Sequence, residues 1–232
     1  MNGHPIPYLM MHDSWIALMM ILCFLNTCYI LAKGGKHLLQ EIKEIFDSRS
    51  SLSHTITQTT SEDVRFHGIL EIQLCLFIAL LFWGYVANGK ITLDNEYQSL
   101  IFLSIFTGII LLGSILKIIL YLFIGWVFFD KITTNNWIRC HFVTDVILEF
   151  LLFPLVLIII YIDISPDIYL PIAFILLILA KSLLFFRGIK LFFLNTYSKI
   201  YFITYLCALE LIPLALVLTG LIEANDFLQL NF

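Results

Sequence analysis

The chain has 232 residues, 60% of them hydrophobic and only 13% charged, with a net charge of −4 and a mean hydropathy of +0.96. Soluble domains run at roughly 45–50% apolar and about 25% charged residues, so one water-soluble core is excluded: too few polar residues remain to cover it. The acidic balance offers no basic footprint for nucleic acid, and the lipid bilayer is the partner that the composition suits.

A helix crosses about 30 Å of hydrocarbon with about 20 mostly apolar residues. Six stretches meet that rule: Ser14–Ala32, Phe66–Ala87, Leu100–Phe129, Ile138–Ile162, Ile168–Phe186 and Tyr197–Ile222. The expected fold is therefore all-α, a polytopic membrane protein built as a bundle of six transmembrane helices. Residues 1–13, "MNGHPIPYLMMHD", hold no Lys or Arg, and no A-x-A site follows the first stretch. It is read as a retained span rather than a signal peptide. The third stretch is longer than a perpendicular crossing needs, so it tilts or leaves its last turns at the interface. Trp15, Trp83, Trp126 and Trp137 fall toward span ends, where interfacial aromatics are expected.

Orientation follows from the cations. Ten Lys and Arg residues lie in the first, third and fifth connections, whereas the termini and the second and fourth connections hold only Lys90. That alternation predicts both termini on the non-cytoplasmic side, with residues 223–232 as a non-cytoplasmic tail. The first connection, residues 33–65, contains "KHLLQEIKEIF". Its periodicity puts Leu38, Leu39, Ile42, Ile45 and Phe46 on one helical face, with Glu41, Lys43 and Glu44 elsewhere. Such a helix either lies flat on the cytoplasmic leaflet or continues the first span and packs on a partner. "SRSSLSHTITQTTSE" follows as a Ser/Thr-rich linker. The remaining region, 66–222, holds the other five spans.

Glu71, Lys117, Glu149, Lys181 and Glu210 interrupt the apolar runs. Each costs roughly 2.5–3.5 kcal/mol at the bilayer centre on insertion scales, so such residues face the bundle interior. Glu71 and Lys181 come out about 9 Å inside the cytoplasmic boundary at about 1.5 Å per residue, within reach of the interface by snorkelling. Lys117, Glu149 and Glu210 come out about 15–18 Å deep. They share one layer near the midplane although they belong to three spans. Two readings stay open for that trio: a polar lock between helices, or a proton- or ion-binding site. His141 and Asp145 are spaced i, i+4, with Glu149 four further on, and all three occupy one helical face. Pro154 and Pro213 follow Glu149 and Glu210, and each is expected to kink its helix or free a carbonyl.

The order Lys117, Glu149, Pro154 in spans three and four recurs as Lys181, Glu210, Pro213 in spans five and six. It is either a parallel repeat or the easy self-alignment of apolar sequence. The C-terminal string "YLCALELIPLALVL", preceded by several spans and a short basic loop, resembles a family of Bacteroidota membrane proteins catalogued as domain of unknown function 4271. The likeness covers roughly 100–222. Its Tyr-x4-Leu-Glu-x2-Pro pattern maps in part onto Tyr205 and Leu209–Pro213, Tyr205 lying four residues before Leu209 rather than five. The resemblance implies a multi-spanning inner-membrane protein of a Gram-negative cell, and it carries no activity to transfer.

There is no phosphate loop, no G-x-G-x-x-G and no H-E-x-x-H. Cys23, Cys28, Cys75, Cys140 and Cys207 form no C-x-x-C pair and read as small buried hydrophobes. His4, His12 and Asp13 lack metal-specific spacing. No cofactor, metal or catalytic set is expected. The expected role is a non-enzymatic subunit or scaffold of a membrane assembly, with membrane-protein partners or a second copy of the chain. The rival is a small proton- or ion-coupled transporter or channel using Glu149, Glu210 and Lys117. A lipid-modifying enzyme comes third, without a recognisable catalytic set.

Overall fold

The computed structural model of the protein describes residues 10, 13–46, 61–87, 96–128, 131–162, 164–192 and 212–226. Among the described residues there is no strand. Five long helices follow one another: α1 (Ser14–Phe46), α2 (Ser61–Ala87), α3 (Glu96–Phe128), α4 (Lys131–Ile162) and α5 (Pro166–Phe192). A further helix, α6, covers residues 212–226. Each long helix contains a stretch long and apolar enough to cross a bilayer: Ser14–Lys36, Arg65–Ala87, Gln98–Val127, Thr134–Ile162 and Pro166–Gly188. The first half of the sixth apolar stretch, with Glu210, lies outside the described residues.

Local chemistry sets the helix starts. Asp13 caps α1, its Oδ1 accepting the Trp15 amide at 3.0 Å, which satisfies one of the orphan donors of a first turn. The Ser99 hydroxyl donates to the other oxygen of the same carboxylate, so the cap of α1 is also a joint to α3. At α5 the Ser165 carbonyl accepts the Ile168 amide at 3.0 Å. Pro166 takes the first helical position, where its missing N–H costs nothing. The helical assignment of α4 runs through Pro154 to Ile162, and Pro154 itself faces outward. Pro213 is buried in α6.

α2 and α4 form the centre. In each, 61% of the most apolar window is buried, against 22%, 28% and 17% in α1, α3 and α5. α2 packs on α3 and α4, and α4 packs on α5. With lipid tails as apolar as leucine, contact quality rather than water exclusion holds such helices together. Aromatic rings supply much of it. Trp83, fully buried, lies 5.1 Å from the Phe102 ring, and Phe82 meets Phe106 edge-on at 5.0 Å. Position near a span end did not say which way each ring turns. Trp83 is spent on the α2–α3 contact, and buried Trp137 packs edge-on against Tyr121 at 5.9 Å. Trp126 is 82% exposed and points outward, and Trp15 is half-buried.

Glycines permit close approaches between helices. A Cβ on Gly113 of α3 would collide with Val217 of α6, and one on Gly84 of α2 would lie 2.8 Å from the Tyr169 hydroxyl of α5. Small residues at helix interfaces have this effect in membranes generally. α6 is thereby seated on α3, with Leu221 buried in the main core.

The outer faces are apolar as well. Leu112, Phe123, Ile162 and Phe174 all stand exposed, forming a surface that acyl chains accept and water does not. α1 does not stop where its apolar stretch ends but continues as one helix to Phe46. There it buries Leu38 and Glu41 and exposes Leu39. The periodicity had grouped Leu39 with Leu38 and put Glu41 off the apolar face. The inward turn of Glu41 has a cause described below. Residues 47–60, which hold the Ser/Thr-rich linker, lie outside the described residues.

Candidate functional site: a polar cluster among the apolar spans

α4 supplies the spine of the site. His141 and Asp145 stand one turn apart on its inner face, with His141 Nδ1 2.6 Å from Asp145 Oδ2, and both are buried. The i, i+4 spacing puts the two side chains one above the other. The other ring nitrogen of His141, Nε2, has no hydrogen-bond partner among the described residues.

Three more helices close around this pair. Tyr121 of α3 meets the His141 ring edge-on at 5.5 Å, and Lys117 Nζ lies 5.7 Å from the Tyr121 ring centroid. From α2, Glu71 accepts a hydrogen bond from Ser114 of α3 and feels the charges of Asp145, Lys181 and Lys117. Asp145 feels both lysines as well. Ser114 Oγ also lies 3.8 Å from Cys75 Sγ. Glu71, Lys117, Asp145 with His141, and Lys181 thus bring α2, α3, α4 and α5 to one place.

Glu149 stands one turn beyond Asp145 and faces a different neighbour. It is 2% exposed, its Oε2 has no hydrogen-bond partner among the described residues, and the charge it feels is that of Glu71. Its own charge reaches Cys23 of α1. Of the trio expected at mid-depth, Lys117 and Glu149 are both buried, and Glu210 lies outside the described residues. Lys117 acts on Glu71, Asp145 and His141. Glu71, placed by the sequence near the boundary, is the group that joins the lysine-rich side of the cluster to Glu149.

Two further polar contacts escaped the sequence reading. At the end of α1, Arg139 Nε donates to Glu41 Oε1 at 2.9 Å, and His67 Nε2 lies 3.3 Å from Glu41 Oε2. Burial pushes the Glu41 carboxyl up, but the His67 hydrogen bond and the charges of His67 and Arg139 outweigh it. They hold Glu41 below the usual carboxylate range. His67 is stacked on Phe142, next to His141, with 5.8 Å between ring centres. Between α1 and α2, Gln73 accepts from Asn26 Nδ2 at 2.7 Å. Its own amide donates to Thr27 Oγ1 at 2.8 Å and to the Cys23 carbonyl at 3.3 Å. An uncharged amide in the middle of an apolar run was the available signal for this clasp. Glu41 offered none, because its partners come from two other helices.

Asp13, considered with His4 and His12 as a metal site, is engaged by the α1 cap and Ser99, and the two histidines lie outside the described residues. Among the described residues no group of three His, Cys, Asp or Glu side chains is placed to hold a metal ion.

A family model described as Domain of unknown function (DUF4271) matches residues 16–221. No curated protein matches the chain, and no solved structure matches it.

Proposed function

We propose, for a chain that belongs to the domain of unknown function 4271 family, an ion-coupled transporter or channel of the inner membrane, with six spans and both termini on the non-cytoplasmic side. The alternation of Lys and Arg along the chain supports that orientation. The helical residues 212–226 at the end of the last apolar stretch support the sixth span.

One observation carries the functional reading. Within a cluster contributed by four packed helices, Glu149 Oε2 and His141 Nε2 are both buried and lack a hydrogen-bond partner among the described residues. A lock between helices satisfies its polar atoms, because each buried polar group left unpaired costs stability. Glu41 Oε2 also lacks a hydrogen bond but is met by His67 at 3.3 Å. Glu149 Oε2 and His141 Nε2, two turns apart on α4, have no such ion-pair contact among the described residues, which supports a site with a transient occupant. Intramembrane ionisable groups commonly mark such paths.

The test is flux. The full chain is reconstituted into vesicles, an ion gradient is imposed, and pH-dependent ion movement is followed with a trapped dye. Wild-type vesicles are expected to exceed empty ones, and Glu149→Gln to lose at least tenfold while keeping a normal folded yield. The opposite pattern, a collapsed yield with unchanged flux, makes the cluster a helix lock. It returns the protein to the reading of a non-enzymatic subunit, which a co-purifying protein in mild detergent would then support.

A further inference from the structure

We infer that the ion held at Glu149 is a proton, bound as a neutral carboxylic acid within reach of the Glu71 charge and exchangeable with bulk water. The inference deepens the transport reading and rests on it for its physiological meaning.

The argument starts from charge. An isolated carboxylate buried in an apolar interior is costly enough that the group neutralises or acquires a counter-charge. Glu149 is 2% exposed, and the neighbouring charge acting on it is another carboxylate, Glu71. A like charge within reach disfavours ionisation, so one of two interacting carboxyls keeps its proton more readily. The titratable groups of the cluster are Cys23 of α1, Glu71 and Cys75 of α2, Lys117 of α3, His141 and Asp145 on α4 itself, and Lys181 of α5; of these, Glu71 acts on Glu149, and Glu149 acts on Cys23. The lysines act on Glu71 and Asp145. They balance the other side of the cluster.

A metal cation fits the same place poorly. A hard cation takes about six oxygen ligands. Among the described residues no group of three His, Cys, Asp or Glu side chains is placed to hold one. A proton needs only one free oxygen lone pair, and Glu149 Oε2 presents one with no competing donor among the described residues.

The test reads the carboxyl directly. Infrared spectra of the full-length protein in detergent at neutral pH are compared in H2O and D2O, with potassium, sodium or lithium as the only cation. The expected result is a carbonyl-stretch band of a protonated carboxyl in an apolar site. The band shifts in D2O, is indifferent to the cation, and is lost in Glu149→Gln. Absence of the band, its loss on adding sodium or lithium, or its persistence in Glu149→Gln overturns the inference. If Glu149→Gln does not accumulate folded, Glu71→Gln takes its place: the band must move, and an unmoved band overturns the assignment. Flux is not read in this experiment. Transport without the band therefore sinks the proton assignment alone, and the band without transport sinks the transport reading alone.

Discussion

Glu41 and Glu149 are almost equally buried, at 4% and 2% exposure, yet they are treated in opposite ways. Glu41 lies beyond the apolar stretch of α1 and is met by Arg139 at 2.9 Å and by His67 at 3.3 Å. Glu149 lies among apolar helices with another carboxyl as its charged neighbour. Burial alone therefore does not say what a carboxyl is for. The partners say it: the first glutamate ties three helices together as an anion, and the second is left able to take up an ion.

The comparison breaks most visibly if the Glu41 joint is cut. Arg139→Met takes the guanidinium away from Glu41 and leaves the carboxyl buried beside His67. Breaking a buried pair from one side costs roughly 3–5 kcal/mol. The Arg139 side chain is 27% exposed, so water shares the interaction and a loss of about 2 kcal/mol is expected, read by thermal unfolding in detergent. An unchanged melt would reduce the joint to a bystander.

The pH dependence sharpens the contrast. Glu41 is held below its ordinary value when folded. Its contribution is therefore complete above the unfolded value of about 4.3 and is lost as pH falls through the folded one. Over that acidic window the unfolded chain binds the extra proton, so stability should fall with pH. Glu41→Gln is expected to flatten the fall; an equally steep profile in the variant would place the acid sensitivity elsewhere.

The smallest effect belongs to Glu149. If it is already a neutral acid, Glu149→Gln replaces one uncharged hydrogen-bonding group with another of similar shape. The melt should then move by less than about 1 kcal/mol, within the ordinary worth of one hydrogen bond. A drop as large as that of Arg139→Met would make both glutamates structural and erase the distinction.

Much of the architecture was legible in the chain. Five apolar stretches became five helices because no other structure satisfies every backbone group in lipid except a closed barrel. The family was legible too, from the C-terminal pattern around Leu209–Pro213, and its model covers 16–221. The polar members of the cluster could be named, since ionisable residues in apolar runs are conspicuous. Their pairing could not be named. Counting residues placed Glu71 about 9 Å inside the cytoplasmic boundary, but it could not say that Glu71 interacts with Lys117 on one side and Glu149 on the other. Depth along a helix follows from position in the sequence, but rotation about its axis does not.

Rotation is the general difficulty in a bilayer. In water an apolar face points inward, so periodicity reports orientation; in lipid both the core and the surface are apolar, and that signal fades. α2 is apolar nearly all round, and nothing in its sequence says that Trp83 packs against α3 or that Gln73 turns to α1. By itself the sequence determined a membrane-embedded helical protein, the places of its five long apolar helices along the chain, and an inventory of ionisable groups within them, because transfer from water depends on composition. Only the tertiary structure decided which of those groups meet a counter-charge, because that depends on how helices from distant parts of the chain are turned toward one another.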